Sequence, residues 1–209
     1  MNIDVTYDFI CPWCWIGGEK LQQALDASGQ RQAATIHYIP YQLNPDMPVH
    51  GMDRKVYRSA KFGSWARSQL LDEQVTRAGA TVGLTFDYPR VDKTPNTLAA
   101  HRLVWLQQQA GRPAAVLVQA IFRAYFAEGR DLGDVQVLAD IAQENGLDRS
   151  ATLQFLASSA GTDDVMRAEA AARKRGISAV PCVEIDHEMV TGAQPVEVFM
   201  QAIQRATAH

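Results

Sequence analysis

The N-terminal segment alternates apolar and polar residues over positions 3–9, which is the two-residue period of a strand buried on one face. Apolar positions with helical spacing follow, and this pattern ends at Gly29. A second apolar run, 35–39, is stopped by Pro40 and then by a turn-forming cluster. Residues 1–45 therefore predict a strand, a helix and a second strand.

The middle of the chain, from about residue 54 to residue 175, has a helical period and several helix-start signals. Asp134 and Ser150 are predicted N-caps of two helices, because their side-chain oxygens can accept from backbone N–H groups of the first turn. Thr162 or Asp163 is the predicted cap of the last helix in this region. The whole segment predicts a block of helices without strands.

Strand patterns return at 180–185 and around 189–191, and a final amphipathic helix follows them. The element order is then β-α-β, helices, β-β-α, which predicts an α/β fold with one mixed sheet interrupted by an insertion. We expect residues 1–45 and 163–209 to form one domain and residues 46–162 to form an all-helical insertion.

Composition and charge exclude several classes of protein. The chain has 209 residues with 23 acidic and 20 basic side chains, for a net charge of −3. This balance gives no electrostatic attraction to nucleic acid or to anionic membranes. No apolar run reaches the roughly 18 residues of a membrane span, and the N-terminus lacks the basic start and apolar run of a signal peptide. We expect a cytoplasmic protein with neither nucleic acid nor membrane as a partner.

Two cysteines lie three positions apart where the first strand meets the first helix. This spacing places Cys11 and Cys14 within disulfide reach, on one side of the first helical turn. The N–H groups of that turn favour the thiolate of Cys11, and Pro12 presets the turn without losing a hydrogen bond. We predict Cys11 as the nucleophile and Cys14 as the resolving thiol. Gly17 and Gly18 each cost a helix about 1 kcal/mol, which predicts a kink or a late start of regular helix.

Three other interpretations of the cysteine pair stay open at this point. The pair can be half of a zinc site, but a structural zinc site needs four ligands and there is no second such pair. The pair can also be two inert buried thiols, or a static disulfide of the kind that is rare in cytosolic proteins. We favour a redox-active dithiol and expect no metal.

The cysteine segment and several later motifs resemble a known family. The motifs are, in chain order, Tyr7-Asp8-Phe9-Ile10-Cys11-Pro12-Trp13-Cys14-Trp15-Ile16-Gly17, Tyr41-Gln42-Leu43-Asn44-Pro45, Asn96-Thr97-Leu98, His101-Arg102-Leu103, Ala124-Tyr125-Phe126, Gly129-Arg130-Asp131, Val180-Pro181 and Gly192-Ala193-Gln194-Pro195. They resemble segments of the DsbA-like thioredoxin-fold proteins, specifically the FrnE-like branch. The resemblance spans almost the whole chain and implies a thioredoxin-like fold with a helical insertion.

The resemblance also implies a set of substrate-binding residues. It implies that Pro181 is cis and that Val180 pairs with the extended chain of a substrate. Pro12 and Trp13 would lie beside the exchange partner, and we predict that Trp13 is either exposed there or folded back onto its own domain. Asn96 is a helix cap on the simpler interpretation and a weak candidate for substrate contact.

Two further residues, Cys182 and Glu184, are candidates to modulate the dithiol. Cys182 follows Pro181 and is either a core residue or a third sulfur that exchanges with Cys14. Glu184 either accepts a proton near the buried thiol or reaches solvent at the end of a strand. His101 is predicted as a buried core histidine rather than a catalytic base.

These observations predict a cytoplasmic thiol–disulfide oxidoreductase or disulfide isomerase, and the reducing glutathione pool of the cytosol favours reductase or isomerase activity over net oxidation. The two sulfurs carry the electrons, so no organic cofactor is expected, and the partner is a protein, a small thiol or disulfide, or glutathione. In DsbA a histidine lies between the cysteines; Trp13 replaces it here and predicts a couple less oxidising than the roughly −120 mV of DsbA. The alternatives are a glutathione-dependent isomerase or transferase of the hydroxychromene-carboxylate isomerase and kappa classes, which resemble the chain but have serine at Cys11, and a non-catalytic protein-binding module.

Overall fold

The computed structural model describes residues 1–208, so His209, the last residue of the predicted 163–209 segment, lies outside the described residues. The strands are β1 Asn2–Tyr7, β2 Thr35–Pro40, β3 Met52–Asp53, β4 Lys93–Thr94, β5 Cys182–Ile185 and β6 Glu188–Thr191. The helices are α1 Pro12–Ala27, α2 Arg54–Phe62, α3 Trp65–Ala80, α4 Leu98–Gln109, α5 Ala115–Phe126, α6 Val135–Glu144, α7 Arg149–Ala157, α8 Thr162–Lys174 and α9 Val196–Thr207, and a short 3-10 turn spans Tyr88–Arg90.

Four strands form one mixed sheet in the order β2-β1-β5-β6. β1 pairs with β2 in parallel and with β5 antiparallel, and β6 pairs antiparallel with β5. This order of elements confirms the predicted thioredoxin-like α/β fold with helices inserted between β2 and β5. The division into 1–45 plus 163–209 and 46–162 stays a prediction.

The two faces of the sheet are covered by different helices. Val5 and Val183 belong to the main core, which also includes side chains of α1 and α9. Cys182 lies in a smaller cluster on the other face, together with Ala172 of α8 and with Tyr41. Because side chains alternate along a strand, residues 182 and 183 of β5 face opposite cores. This separation decides which residues can reach the cysteine pair.

The outer edge of β2 is covered by a side chain of the helical insertion. The backbone N–H of Tyr38 donates to Oε1 of Gln108 at 2.7 Å, and Nε2 of Gln108 donates to the Tyr38 carbonyl at 3.1 Å. A single amide at the end of α4 therefore satisfies both backbone groups of one edge residue, as a neighbouring strand would do.

The first helix is regular from Pro12 onwards, so the predicted late start of regular helix at the glycine pair was wrong. α1 begins at Pro12 and runs through both glycines to Ala27. A Cβ on Gly17 would lie 3.0 Å from Cγ of Pro181, whereas a Cβ on Gly18 would have 3.6 Å of room to its nearest neighbour, Nε2 of Gln119. The absent side chain at Gly17 lets the helix approach the loop before β5, and packing of the helix offsets the low helix propensity of glycine.

Helix starts and short strands also differ in part from the prediction. Asp134 caps α6 as predicted, but Asp148 rather than Ser150 caps α7, because its carboxylate accepts from the Ala151 N–H. The N-cap of α8 is Gly161, without a side-chain bond, instead of Thr162 or Asp163. The pair β3–β4 was not predicted, since two-residue strands carry no readable period. Within residues 1–208, no helix is long and apolar enough to cross a membrane.

Candidate active site

The cysteine pair lies at the junction between β1 and α1, as the spacing predicted. Cys11 is the N-cap residue of α1 with an extended backbone, and Pro12 is the first helical residue. The Cys11 N–H donates to the Asp8 carbonyl at 3.1 Å, and the Cys14 N–H donates to the Cys11 carbonyl at 3.0 Å. The first sulfur is therefore held at the positive end of the helix, where N–H groups favour an anion.

The loop before β5 lies against the first cysteine. The Val180–Pro181 peptide bond is cis, and the Cys11 thiol donates to the Val180 carbonyl oxygen at 3.6 Å. Cys11, Cys14 and Cys182 are all free thiols. The structure thus describes the dithiol form of the pair, with Val180 adjacent to the predicted nucleophile.

Cys14 lies deeper than Cys11 and is held as a neutral thiol. It is 2% exposed, and its pKa is raised above the usual value of 9.0, first by burial and then by hydrogen bonding with Cys11. A thiol in such surroundings reacts only after a proton has been removed. Cys11 is 7% exposed, so both thiols are buried and Cys14 is the more enclosed of the two; their roles as nucleophile and resolving thiol stay predictions.

A buried acid–imidazole pair, which the sequence reasoning missed as a pair, lies beneath the dithiol. Oδ1 of Asp8 lies 3.2 Å from Nε2 of His101, and Oδ2 of Asp8 accepts from the Leu43 N–H at 2.7 Å. Both side chains are fully buried, and Nδ1 of His101 has no hydrogen-bond partner among residues 1–208. His101 is a buried histidine, as predicted, and its Nε2 also contacts the carboxylate next to the cysteine segment.

Asp8 escaped prediction because of its position in the alternating segment. It is in phase with Asp4 and Thr6, so a strand continuing to residue 9 would turn it towards the polar face. β1 ends at Tyr7 instead, and the following turn directs the Asp8 carboxylate inwards. A polar residue directly before the cysteine segment, within the motif that resembles the family, was the one signal that could have identified it.

A cavity of about 320 Å³ opens beside Cys11 between α1 and the inserted helices. Its lining includes Pro12 and Trp13, and the Trp13 ring is 40% exposed, which confirms the exposed alternative for this residue. One part of the wall is apolar, with Leu71 and Phe126 among its residues. Another part carries the cations Arg54, Arg58 and Lys61, and uncharged polar residues such as Gln74 and Thr94 complete the lining.

The predicted substrate candidate Asn96 is not part of this cavity. Its amide donates to the Met47 carbonyl at 2.7 Å, and its oxygen accepts from the Leu98 N–H at 2.9 Å. Asn96 therefore fastens a loop to the first residue of α4, although the N-cap position itself is Thr97, which makes no side-chain cap bond.

The two candidate modulators on β5 are not close to the dithiol either. Cys182 faces the cluster under α8, on the opposite side of the sheet from Cys14. Glu184 lies on that same opposite face and accepts from Arg175 at 3.0 Å. The structure therefore does not bring a third sulfur or the Glu184 carboxylate to the cysteine pair, and the buried carboxylate beside the pair is Asp8. Within residues 1–208, no three His, Cys, Asp or Glu side chains are grouped as a metal site.

Comparison with known proteins agrees with this geometry. The family model described as a DSBA-like thioredoxin domain matches residues 2–204. The chain belongs to the DsbA-like thioredoxin domain family. A crystal structure of the probable DsbA oxidoreductase SCO1869 from Streptomyces coelicolor superposes with a TM-score of 0.91 at 29% identity, covering 100% of this chain and 91% of that one.

Two other similar proteins have different activities in their names. The 2-hydroxychromene-2-carboxylate isomerase of Sphingobium xenophagum is 23% identical over 191 residues, which are 91% of this chain and 92% of the relative. The cytosolic disulfide reductase DsbM from Pseudomonas aeruginosa, solved with glutathione, has a TM-score of 0.62 at 14% identity, covering 100% of this chain and 96% of that one. Oxidoreductases and an isomerase therefore share this fold, and the residues of the site must distinguish them.

Proposed function

We propose that the protein is a thiol–disulfide oxidoreductase that acts through Cys11 and Cys14. The observation that carries this proposal is the pairing of two thiols in unlike surroundings: Cys11 lies at a helix start beside an open cavity, and Cys14 is buried behind it. Stepwise disulfide exchange requires one sulfur that a partner disulfide can reach and a second, more enclosed sulfur that resolves the mixed disulfide.

The proposed exchange takes place in two displacement steps. The Cys11 thiolate attacks one sulfur of a partner disulfide, so a mixed disulfide forms and one partner thiolate leaves. Cys14 then loses its proton and attacks Sγ of Cys11, which forms the Cys11–Cys14 disulfide and releases the second partner thiolate. The partner gains two electrons and the dithiol loses two; the reverse sequence oxidises a partner dithiol.

We propose a cytoplasmic role in which the dithiol acts on protein or small-molecule disulfides, with glutathione as an exchange partner and without a metal or an organic cofactor. The structural similarity to DsbM, which is described as a cytosolic disulfide reductase and was solved with glutathione, supports the location and the partner. The reducing glutathione pool of the cytosol favours reduction or isomerisation over net oxidation.

The main alternative is a glutathione-dependent isomerase similar to the hydroxychromene-carboxylate enzyme. The similarity along most of the chain and the cavity beside Cys11 favour it. The presence of cysteine at position 11, where that class has serine, argues against it, because the isomerase needs no exchangeable sulfur there.

Incubation of the reduced protein with oxidised glutathione, followed by acid quench, alkylation and mass spectrometry, tests the proposal. We expect the wild type to form the Cys11–Cys14 disulfide, Cys14→Ser to accumulate a mixed disulfide on Cys11, and Cys11→Ser to do neither. Cys182→Ala is the matched control and should behave as the wild type. Three free thiols in the wild type after exposure to every disulfide tried would contradict the proposal.

A further inference from the structure

The cationic part of the cavity beside Cys11 is built around one buried carboxylate. Nη2 of Arg54 donates to both oxygens of Asp72, at 2.9 and 2.8 Å, and Nη2 of Arg58 donates to Oδ1 of Asp72 at 2.8 Å. The Arg54 and Arg58 side chains are 4% and 15% exposed. Two guanidinium groups therefore share a single acid in a site with little access to water.

This arrangement leaves excess positive charge at the cavity wall. Two guanidinium groups bind one carboxylate here, and the pKa of Arg58 is lowered, first by burial and then by repulsion from Arg54. Lys61 adds a third cation at the rim, where its ammonium donates to the Tyr57 hydroxyl at 2.7 Å. All of the lining residues lie in the described part of the chain, and none of them is acidic. An incoming anion would relieve this imbalance.

Apolar side chains also line the cavity, together with uncharged polar residues such as Gln74 and Thr94. Leu71 and Val75 of α3 and Phe126 of α5 line the cavity together with Ile10, next to Cys11. A cavity of about 320 Å³ holds a small organic molecule and excludes a folded protein. The occupant that fits these surfaces has an apolar body with an anionic group at one end.

We propose that this cavity binds the organic half of a small thiol or disulfide, seating a carboxylate against Arg54 and Arg58 and an apolar body against Leu71, Val75 and Phe126, with its sulfur at Cys11. Guanidinium groups match the planar carboxylate geometry and can bind it with two parallel hydrogen bonds. The inference rests on the proposed exchange function and adds a substrate class to it, a carboxylate-bearing apolar disulfide.

Single-turnover kinetics test the selectivity in a Cys14→Ala background, where the reaction stops at the mixed disulfide on Cys11. The probes are dithiobis(nitrobenzoate), which is aromatic and anionic, dithiodipyridine, which is aromatic and neutral, and oxidised glutathione, which is anionic and polar. Each rate is divided by the rate of the same probe with N-acetylcysteine. We expect a normalised preference of at least about tenfold for the anionic aromatic probe over each of the others, since a charged hydrogen bond contributes roughly 10- to 100-fold.

Charge removal inside and outside the cavity separates local binding from the general field of the protein. Arg58→Gln should lower the anionic preference roughly 10- to 100-fold. Arg77→Gln removes an exposed charge of α3 that does not line this cavity and should change it less than about twofold. Equal losses in both variants, or no preference in the parent protein, would overturn the proposal. If Arg58→Gln does not fold, Lys61→Gln at the rim should give a loss of about threefold or more, and an unchanged preference in that variant would count equally against the proposal.

A probe without sulfur separates the cavity from the redox chemistry. Benzoate at millimolar concentration should slow alkylation of Cys11 by iodoacetamide in the reduced protein, and benzamide should not. Protection by benzoate together with no mixed disulfide from any probe would support the cavity and contradict the exchange function. Equal normalised rates for oxidised glutathione and the aromatic anion would refute the apolar part of the proposed substrate class.

Discussion

Substitution of the two adjacent glycines of α1 tests the contact between this helix and the loop before β5. Gly17 and Gly18 are both helical, so replacement by alanine removes the same backbone penalty of about 1 kcal/mol at each position. The surroundings of the two positions differ. The new Cβ at position 18 would have 3.6 Å to Nε2 of Gln119, which is ordinary contact, whereas at position 17 it would lie 3.0 Å from Cγ of Pro181.

The Pro181 ring has little freedom to move away. The Pro181 carbonyl accepts from the Gly192 N–H at 2.8 Å, and the added Cβ would also lie 3.5 Å from Cα and 3.6 Å from Cβ of Ala193. Overpacking of this kind costs about 1–3 kcal/mol. We therefore expect Gly18→Ala to raise the free energy of unfolding by about 1 kcal/mol. The free energy of unfolding of Gly17→Ala should be about 1–3 kcal/mol lower than that of Gly18→Ala.

Urea unfolding of the two reduced variants measures this difference directly. In thermal unfolding, the midpoint Tm should differ by about 2–4 °C for each kcal/mol in a chain of this length. Gly17→Ala should also slow disulfide exchange at Cys11, because a displaced Pro181 moves the Val180 carbonyl away from the Cys11 sulfur. Equal stabilisation by both substitutions would refute the inferred close approach. Loss of exchange in Gly18→Ala would show that the effect on rate does not come from Pro181.

Three further predictions address the thiols and the buried acid. The pKa of Cys14 in the folded protein lies above its unfolded value near 9.0. The contribution of this thiol to stability is therefore fully present below about pH 9 and is lost as pH rises through the folded pKa. In urea unfolding, reduced Cys14→Ala should lose less stability above pH 9 than the wild type. Asp8→Ala leaves the buried Nε2 of His101 without its partner and should cost roughly 1–3 kcal/mol in the same assay, while an unchanged free energy of unfolding would contradict a stabilising pair. Cys182→Ala and Glu184→Gln should each leave the dithiol's reduction potential, measured by equilibration with glutathione, unchanged, because both residues lie on the other face of the sheet; that potential should be less oxidising than the roughly −120 mV of DsbA.

The element order and the position of the first cysteine could be predicted because they depend on local patterns. A period-two strand, a helical run and turn residues describe the chain near Cys11, and α1 begins at the proline that follows it. The repeated helical spacing likewise identified the inserted block. Each of these predictions depended only on residues that are close together in the sequence.

The remainder of the site depends on contacts between residues far apart in the sequence. His101 approaches Asp8 only after α4 packs beside β2, and Arg54 meets Asp72 only after α2 and α3 fold back at Gly63. The strands β3 and β4 are two residues each and pair across the chain, so no period could reveal them. The continuous helix at Gly17 was mispredicted for the same reason, since its neighbour is Pro181.

The sheet depends on the inserted helices, because the Gln108 amide of α4 binds the edge backbone of β2. α4 carries Gln108 at one end, bound to the backbone of Tyr38, and His101 near the other, bound to Asp8. A shortened protein without the inserted helices would expose the edge backbone of β2, to which a strand of another molecule could pair. It would also leave the buried Asp8 carboxylate without the His101 imidazole. The insertion therefore cannot be removed without loss to the sheet and to the Asp8 site. A smaller protein designed around this dithiol should retain α4.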